Sequence, residues 1–298
     1  MYDPPPERPL ESDCCGSGCL PCILDVYEDE YSRWKIRQTN HSDQLRRDML
    51  SVTKNKPFKI AAIEQLNKNT RLYTFIAYPE TNGYLPIIYT QHIFIQVDNI
   101  TRPFTPISLS ENCSFKVLIK SYINGKFSEK LIKKSINDIV YVRGPSGGIQ
   151  FNNADKLNMF CAGSGIAAFI GFIQTILKNE KCFTIIDLHY SCKTLDDILL
   201  RKMLFDFSLF WNCKISLYLT KEEDWTKCSE SFWYNETFFK GRISESVIKD
   251  IINKNKNSQS LWFICGTNDF NQHCLDCLLK YNINKENIQI FHDYLKKK

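Results

Sequence analysis

The chain has 298 residues, of which 43% are hydrophobic and 24% charged, and it contains 13 cysteines. At roughly 100–200 residues per domain, this length predicts two domains and a small extra module of an ordinary globular protein. No apolar run approaches the ~18 residues of a membrane span, and a net charge of +5 without a dense Arg/Lys stripe excludes a nucleic-acid surface while suiting an acidic partner.

The start of the chain, MYDPPPERPL, carries neither a basic-then-apolar export signal nor a glycine at position 2. The cysteine count is odd, and nine of the 13 are scattered through apolar segments. A reducing compartment fits this usage better than a disulfide framework. The expectation is an intracellular protein, cytoplasmic or organelle-associated, and a monomer.

Residues 1–50 read as a module of their own. The stretch DCCGSGCLPC places Cys14, Cys15, Cys19 and Cys22 within ten positions. Zinc is the simpler metal expectation, because four thiolates close in sequence can complete a tetrahedron, although the adjacent Cys14 and Cys15 would strain it. So small a module with so little apolar content would gain folding energy from such a site. Cys14, Cys19 and Cys22 also have plant-type [2Fe–2S] spacing, but the next cysteine is Cys113. The alternative is a thiol-rich turn that binds nothing. A helix is expected from about Asp25 to Arg33.

Residues 56–153 change texture. FKIAAIEQL, TRLYTFIAYP, HIFIQVD and SFKVLIKSYI are short runs rich in Ile, Val, Phe and Tyr, separated by turn residues. Their spacing predicts an antiparallel β-barrel or sandwich. Residues 154–298 alternate strands with helices: LNMFCA, IAAFIGFIQTILK, CFTIIDLHY, LDDILLRKMLFDF, CKISLYLT, a polar aromatic loop at about 221–240, SESVIKDIINK capped by Ser244, SLWFIC, DFNQHCLDCLLK and NIQIF. Such alternation predicts a doubly wound parallel α/β domain whose ligands bind beyond the carboxyl ends of the strands. The fold class is therefore an α+β multidomain protein: barrel, then parallel sheet, with the cysteine module in front.

Five motifs carry chemistry. In TRPFTPIS, Arg102 beside Pro103 can aim a planar cation at a phosphate, Phe104 offers a flat face, and Thr105 and Ser108 offer hydroxyls. The plainer reading is an edge strand ending in a proline-rich turn. NGKFSEKL places Gly125, Lys126, Phe127 and Ser128 at the start of a short helix, an anion site or a surface turn. VRGPSGGIQF, residues 142–151, reads as a row of turns that permits close backbone approach. FCAGSGIAAF sets Gly163, Ser164 and Gly165 in a G-x-G-x-x-A turn between strand and helix, suited to a pyrophosphate. Asp187, the acidic residue on the next strand, lies mid-strand and is a poor partner for it. FICGTNDF places Cys265 and Gly266 at the end of a late strand, where a buried free thiol is the common outcome.

The ordered set RPFTPIS, NGKFS, RGPSGG, AGSGIAAF and CGTNDF resembles the NADH–cytochrome b5 reductase branch of the ferredoxin-reductase-like flavoproteins, over about 240 residues from Phe58 to Phe291. The cysteine-rich start resembles the oxidoreductase-like module, and the combination resembles the NADH–cytochrome b5 reductase-like family. The resemblance implies FAD and NADH as cofactors. Arg102 would hold the FAD pyrophosphate, and Phe104 would pack on the flavin where the family has Tyr. Thr105 and Ser108 would lie at the isoalloxazine edge, Gly125 to Ser128 would cradle phosphate, and Lys120 would belong to the same site. Gly163 to Gly165 would hold the dinucleotide, Asp197 would disfavour a 2′-phosphate, and Cys265 and Gly266 would sit near the nicotinamide. Thr105 and Cys265 would be the residues at the reacting centre. The implied acceptor is cytochrome b5 or another small acidic electron carrier, steered by the basic run Lys120, Lys126, Lys130, Lys133 and Lys134 if that run is more than a solvated face. The family's GTGITP and CGPP read GSGIAA and CGTN here, departures that fall on the nicotinamide side. They support an alternative function, a non-catalytic flavoprotein or metal-binding adaptor.

Overall fold

The computed structural model of the protein describes residues 5–10, 23–24, 27–28, 30–31, 34, 47–79, 83–110, 112–122, 124–148, 154–179, 181–230, 234–255 and 258–291. Cys14, Cys15, Cys19 and Cys22 lie outside the described residues. Among those described, positions 27–28 and 30–31 of the expected N-terminal helix are helical, and Tyr27, Tyr31 and Trp34 stack in succession at 5.7 and 5.6 Å.

The chain then enters a short strand, β1 (Arg47–Asp48), and a long hairpin of β2 (Lys56–Asn67) and β3 (Thr70–Ala77). β4 (Gly83–Tyr84) pairs with β1, and β5 (His92–Val97), β6 (Ile100–Phe104), β7 (Ser108–Ser110), β8 (Ser114–Lys120), helix α1 (Lys126–Ile132) and β9 (Ile139–Ser146) follow. Seven of these strands form one antiparallel sheet in the order β6-β5-β9-β2-β3-β8-β7. Its two edges, β6 and β7, are joined by residues 105–107 alone. So short a link spans no more than ~14 Å, so the sheet is rolled until its edges meet, as the expected barrel requires. The inside of the roll is filled by Phe58, Phe75 and Phe115, with ring centroids 5.3–5.5 Å apart.

One expectation fails here. Residues 142–146 are not turns but the second half of β9, which continues to Ser146. Gly144 adopts φ +135°, and a Cβ there would lie 3.2 Å from the Ile93 backbone. The glycine therefore serves close strand packing inside the sheet.

The second half holds β10 (Lys156–Ala162), α2 (Ala167–Lys178), β11 (Ile185–Cys192), α3 (Arg201–Ser208), β12 (Cys213–Leu219), α4 (Thr226–Glu230), β13 (Glu236–Lys240), α5 (Glu245–Lys254), β14 (Ser260–Cys265), α6 (Asn268–Lys280) and β15 (Ile288–Ile290). Its six strands are parallel, in the order β13-β12-β11-β10-β14-β15. Helices α2 and α3 cover one face and α5 and α6 the other, each over its own apolar cluster. Two expectations need correction. The helix expected from residue 195 begins only at Arg201, because Leu200 takes a left-handed φ of +57° that interrupts it. The loop expected at 221–240 contains α4 and the edge strand β13. Glu236, the first residue of β13, is buried and both its oxygens take the Arg201 guanidinium, one at 2.7 Å. A buried charge at the strand start hides the alternating pattern by which strands are read.

Leu72, Ile107 and Leu118 of the rolled sheet belong to the same apolar cluster as Cys161, Ile166 and α2. The two sheets thus share a continuous core. Tyr89 is part of the join: a Cβ on Gly171, inside α2, would fall 1.9 Å from the Tyr89 ring. No helix among the described residues is long and apolar enough to cross a membrane.

Candidate functional site

In the parallel sheet the strand order reverses at β10, which has β11 on one side and β14 on the other. That switch point opens a crevice beyond the carboxyl ends of the strands. The sequence after β10 is Gly163-Ser164-Gly165-Ile166, a 3-10 turn that runs directly into α2. Gly163 has φ +54°, a conformation that favours glycine. Gly165 lies against the end of β14: a Cβ there would meet the Cys265 carbonyl oxygen at 2.2 Å and the Gly266 nitrogen at 3.2 Å. Two motifs separated by a hundred residues of sequence are thus fitted backbone to backbone, and only glycine permits the contact.

Lys120, the last residue of β8, reaches this turn from the rolled sheet. Its ammonium nitrogen lies 3.8 Å from the position of a Cβ on Gly163. Bare backbone at a helix start with a lysine above it is a fit for a phosphate group. Lys120 also shows that the basic run is not one face. Lys130 and Lys134 pair with Asp98 at 3.2 and 3.7 Å, and their charges and hydrogen bonds hold that carboxyl below its usual range. Lys126 and Lys133 remain on the surface with no ion pair among the described residues.

Arg102, Pro103 and Phe104 lie on β6, the edge strand, all half-buried. Cross-strand register sets Arg102 opposite Ile95 and Phe104 opposite Ile93, both fully buried, so Arg102 and Phe104 share the inward face. The Arg102 guanidinium donates to the Thr101 carbonyl at 2.8 Å, and Phe104 packs on Phe127 at 5.2 Å. Thr105 sits in the seam between the two sheet edges, and Ser108 opens β7 opposite Lys116. The motif therefore spans the seam and sinks Ile107 into the core shared with the parallel sheet.

Gly125 is the N-cap residue of α1, and no side chain caps that helix. Lys126 is exposed and Phe127 is buried in the roll. The Ser128 hydroxyl donates to the Gly125 carbonyl at 2.9 Å, and a Cβ on Gly125 would collide with that hydroxyl at 2.5 Å. Glycine is needed here for the tight turn that follows Asn124, itself at φ +63°.

Asp197 lies in a 3-10 turn after β11 and accepts from Thr194 Oγ1 at 3.2 Å and from Asn67 Nδ2 of the rolled sheet at 3.4 Å. Asp187 lies within β11 and is engaged by Lys156 at 2.9 Å. Cys265 is half-buried, and burial pushes its thiol up to about 12. It stays protonated at neutral pH and is a poor nucleophile. Among the described residues no group of histidines, cysteines and carboxylates is arranged to hold a metal ion.

Sequence reasoning missed several residues that build this region. Tyr89 sits in GYLPIIYTQH, which has no period; Gly171, a glycine inside a strong helical pattern, was the signal for it. Asn67 ties the β2–β3 turn to Asp197. Arg143, read as part of a turn, lies on β9 with its guanidinium over the Phe94 ring at 4.1 Å, and Phe94 pairs in turn with Pro103.

Comparison with known proteins agrees with this geometry. Residues 57–151 match the family described as Oxidoreductase FAD-binding domain, and residues 159–276 match Oxidoreductase NAD-binding domain. Residues 2–43 match Oxidoreductase-like protein, N-terminal. A human protein named NADH-cytochrome b5 reductase-like is 30% identical over 301 residues, 96% of this chain and 94% of its own length. NADH-cytochrome b5 reductase 1 of Laccaria bicolor is 30% identical over 71% of this chain and 68% of its own. Among solved structures, the cytochrome b5 reductase domain of Ulva prolifera nitrate reductase has the same fold, with a TM-score of 0.68 at 20% identity, covering 82% of this chain and all of that one. With its two sheets joined at these motifs and a relative matched along nearly its whole length, the chain belongs to the NADH-cytochrome b5 reductase-like family of FAD- and NAD-binding oxidoreductases.

Proposed function

We propose that the protein passes electrons from NADH through FAD to cytochrome b5 or a similar small acidic one-electron acceptor. The observation that carries this reading is the apposition of Gly163–Gly165 with Cys265–Gly266 at the switch point, beside the seam that bears Arg102 to Ser108. When bound, the nicotinamide supplies a hydride and the flavin accepts it and releases electrons singly.

The chain's own residues bind, orient and exclude water. Arg102 and the first turn of α1 would hold the FAD phosphates, with Phe104 and Thr105 at the flavin. Lys120 and the Gly163–Gly165 turn would hold the dinucleotide phosphates. Cys265 would present an uncharged thiol to the nicotinamide, and its protonated state keeps it from adding to the ring. Hydride transfer needs no general acid or base, and none of the expected site residues is a histidine. The departure at residue 267 is accommodated, since the Thr267 hydroxyl caps α6 by accepting from the Phe270 nitrogen at 3.4 Å.

The test is an absorbance spectrum of the purified protein. A flavin spectrum bleached by NADH and restored by oxidised cytochrome b5 is expected. A yellow but inert protein would instead support a non-catalytic flavoprotein. We further expect kcat/KM for NADH to exceed that for NADPH, because the Asp197 carboxylate would oppose a 2′-phosphate; preference for NADPH refutes that role and points instead to the cation of Lys193, the residue that follows β11.

A further inference from the structure

The join between the two sheets includes one ring seated in one gap. Gly171 is the fifth residue of α2, and a glycine inside a helix is destabilising relative to alanine unless the missing side chain is put to use. Here Tyr89 uses it. A Cβ on Gly171 would lie 1.9 Å from Tyr89 Cδ1 and 2.3 Å from Cε1, so the ring occupies the space that any other residue would need. Tyr89 is half-buried and packs on the apolar cluster that holds α2 together with Leu72, Ile107 and Leu118 of the rolled sheet.

The turn that presents the ring is fixed. The Gln91 nitrogen donates to the Ile88 carbonyl at 3.1 Å, closing a turn with Tyr89 and Thr90 at its centre. Thr90 has φ +91° while Tyr89 keeps a negative φ, the pattern of a type II turn, whose third residue is ordinarily glycine. Thr90 is buried, and a β-branched residue keeps such a φ only where its surroundings over-determine it. The Gln91 side chain supplies part of that constraint. Its Oε1 accepts from the Ile88 nitrogen at 3.0 Å, and its Nε2 donates to the Gly147 carbonyl at 3.1 Å. Gly147 follows β9, the last strand before the chain crosses to the parallel sheet.

Both sides of the contact lead directly to a cofactor motif. Tyr89 lies three residues ahead of β5, whose Ile93 pairs with Phe104 on β6. Gly171 lies in α2, which continues straight from the Gly163–Ile166 turn. Only about 6 Å of helix separates Gly171 from the start of α2. A shift of the ring would therefore be carried to both motifs.

We propose that Tyr89 is a positioning residue for hydride transfer: its ring, seated on Gly171, sets the separation between the dinucleotide turn and the flavin motif. This role rests on the assignment of those motifs to NADH and FAD. Tyr89 need touch neither cofactor. Its effect falls on the geometry of approach, where a misplacement of about 1 Å can cost on the order of a hundredfold in rate.

The test compares Tyr89→Ala, Tyr89→Phe, Gly171→Ala and the pair Tyr89→Ala with Gly171→Ala in the full flavin-loaded chain. Stopped-flow bleaching of the flavin by saturating NADH reads the hydride step. Titration of the oxidised protein with NAD+, followed by flavin absorbance, reads binding without turnover. Tyr89→Ala and Gly171→Ala should each slow bleaching about tenfold or more, while Kd for NAD+ stays within about threefold. Tyr89→Phe keeps the ring and should stay within about twofold of the parent rate. The pair should be no slower than the slower single variant, because both changes act on one contact. Thermal unfolding and flavin content identify a variant that fails to fold; if Gly171→Ala does, the pair, which lacks the clashing ring, carries the comparison. Bleaching of Tyr89→Ala at the parent rate, a loss in Kd as large as the loss in rate, or a pair whose losses multiply overturns the role of Tyr89. A parent protein that NADH does not bleach overturns instead the functional reading on which that role rests.

Discussion

Arg102 shows how a local placement can be tested at a single side chain. It is half-buried on an edge strand and its only described side-chain hydrogen bond is to the neighbouring Thr101 carbonyl, so the folded sheet makes little use of its charge. Arg102→Ala should therefore purify folded but without FAD, since loss of a charge-assisted contact to a pyrophosphate costs on the order of 2–4 kcal/mol. Full flavin content in the variant would remove Arg102 from the site. His189 makes the opposite case, a titratable group inside the fold. Burial lowers its pKa to about 4, with Lys156 and Lys254 acting in the same sense and Asp187 opposing them. Its Nδ1 meets the Tyr218 hydroxyl at 3.2 Å. The folded state prefers the neutral ring, so this stabilisation is complete above about 6.5 and is lost as pH falls toward 4. Between pH 6.5 and 5 the loss is roughly 2 kcal/mol. His92, also lowered to about 4, adds in the same direction. Thermal unfolding from pH 7 to 5 should therefore depend less steeply on pH in His189→Gln than in the parent, and parallel curves would refute the assignment.

At the scale of elements, the contact between the turn after β10 and the end of β14 decides whether the crevice exists. Gly165→Ala places a methyl group within 2.2 Å of the Cys265 carbonyl, and backbone on both sides must move. We expect stability to fall by about 1–3 kcal/mol and KM for NADH to rise about tenfold or more, which corresponds to ~1.4 kcal/mol. Flavin content should be kept, because the FAD contacts assigned above lie on the other sheet. Denaturant titration and steady-state kinetics separate the two effects; an unchanged KM would place the dinucleotide elsewhere. The helix ends behave as their sequences indicate. Ser244 caps α5 by accepting from the Val247 nitrogen at 3.4 Å, and Thr267 does the same for α6.

At the scale of the molecule, the two sheets share one core and the flavin and nucleotide motifs meet along it, while the cysteine cluster belongs to a segment ahead of both. Nothing in the transfer from nicotinamide to flavin calls on thiols at positions 14–22. Changing Cys14, Cys15, Cys19 and Cys22 together to Ser should leave NADH-to-ferricyanide turnover within about threefold, since that reaction needs only the flavin and nicotinamide sites. Metal analysis of the intact chain should show at most one zinc and no iron at this cluster. A large loss of turnover, or a brown protein, would give the cluster a part in the chemistry.

Much of this was written in the order of residues. Short runs rich in Ile, Val, Phe and Tyr between turn residues marked the antiparallel sheet, and strand–helix alternation marked the parallel one, because both patterns come from local elements that bury apolar side chains. Each glycine motif was visible because a left-handed or closely approached backbone demands glycine wherever it occurs in the chain. What no linear pattern contains is which motif meets which. Gly165 faces Cys265, Lys120 crosses from one sheet to the turn of the other, Asn67 reaches Asp197, and Tyr89 rests on Gly171. These pairings join residues from 43 to 130 positions apart. Strand β13 stayed hidden because its first residue is a buried glutamate that only Arg201, from another element, makes tolerable. Local burial patterns are properties of the sequence; the juxtapositions that make a site or a surface belong to the packing of one sheet against another.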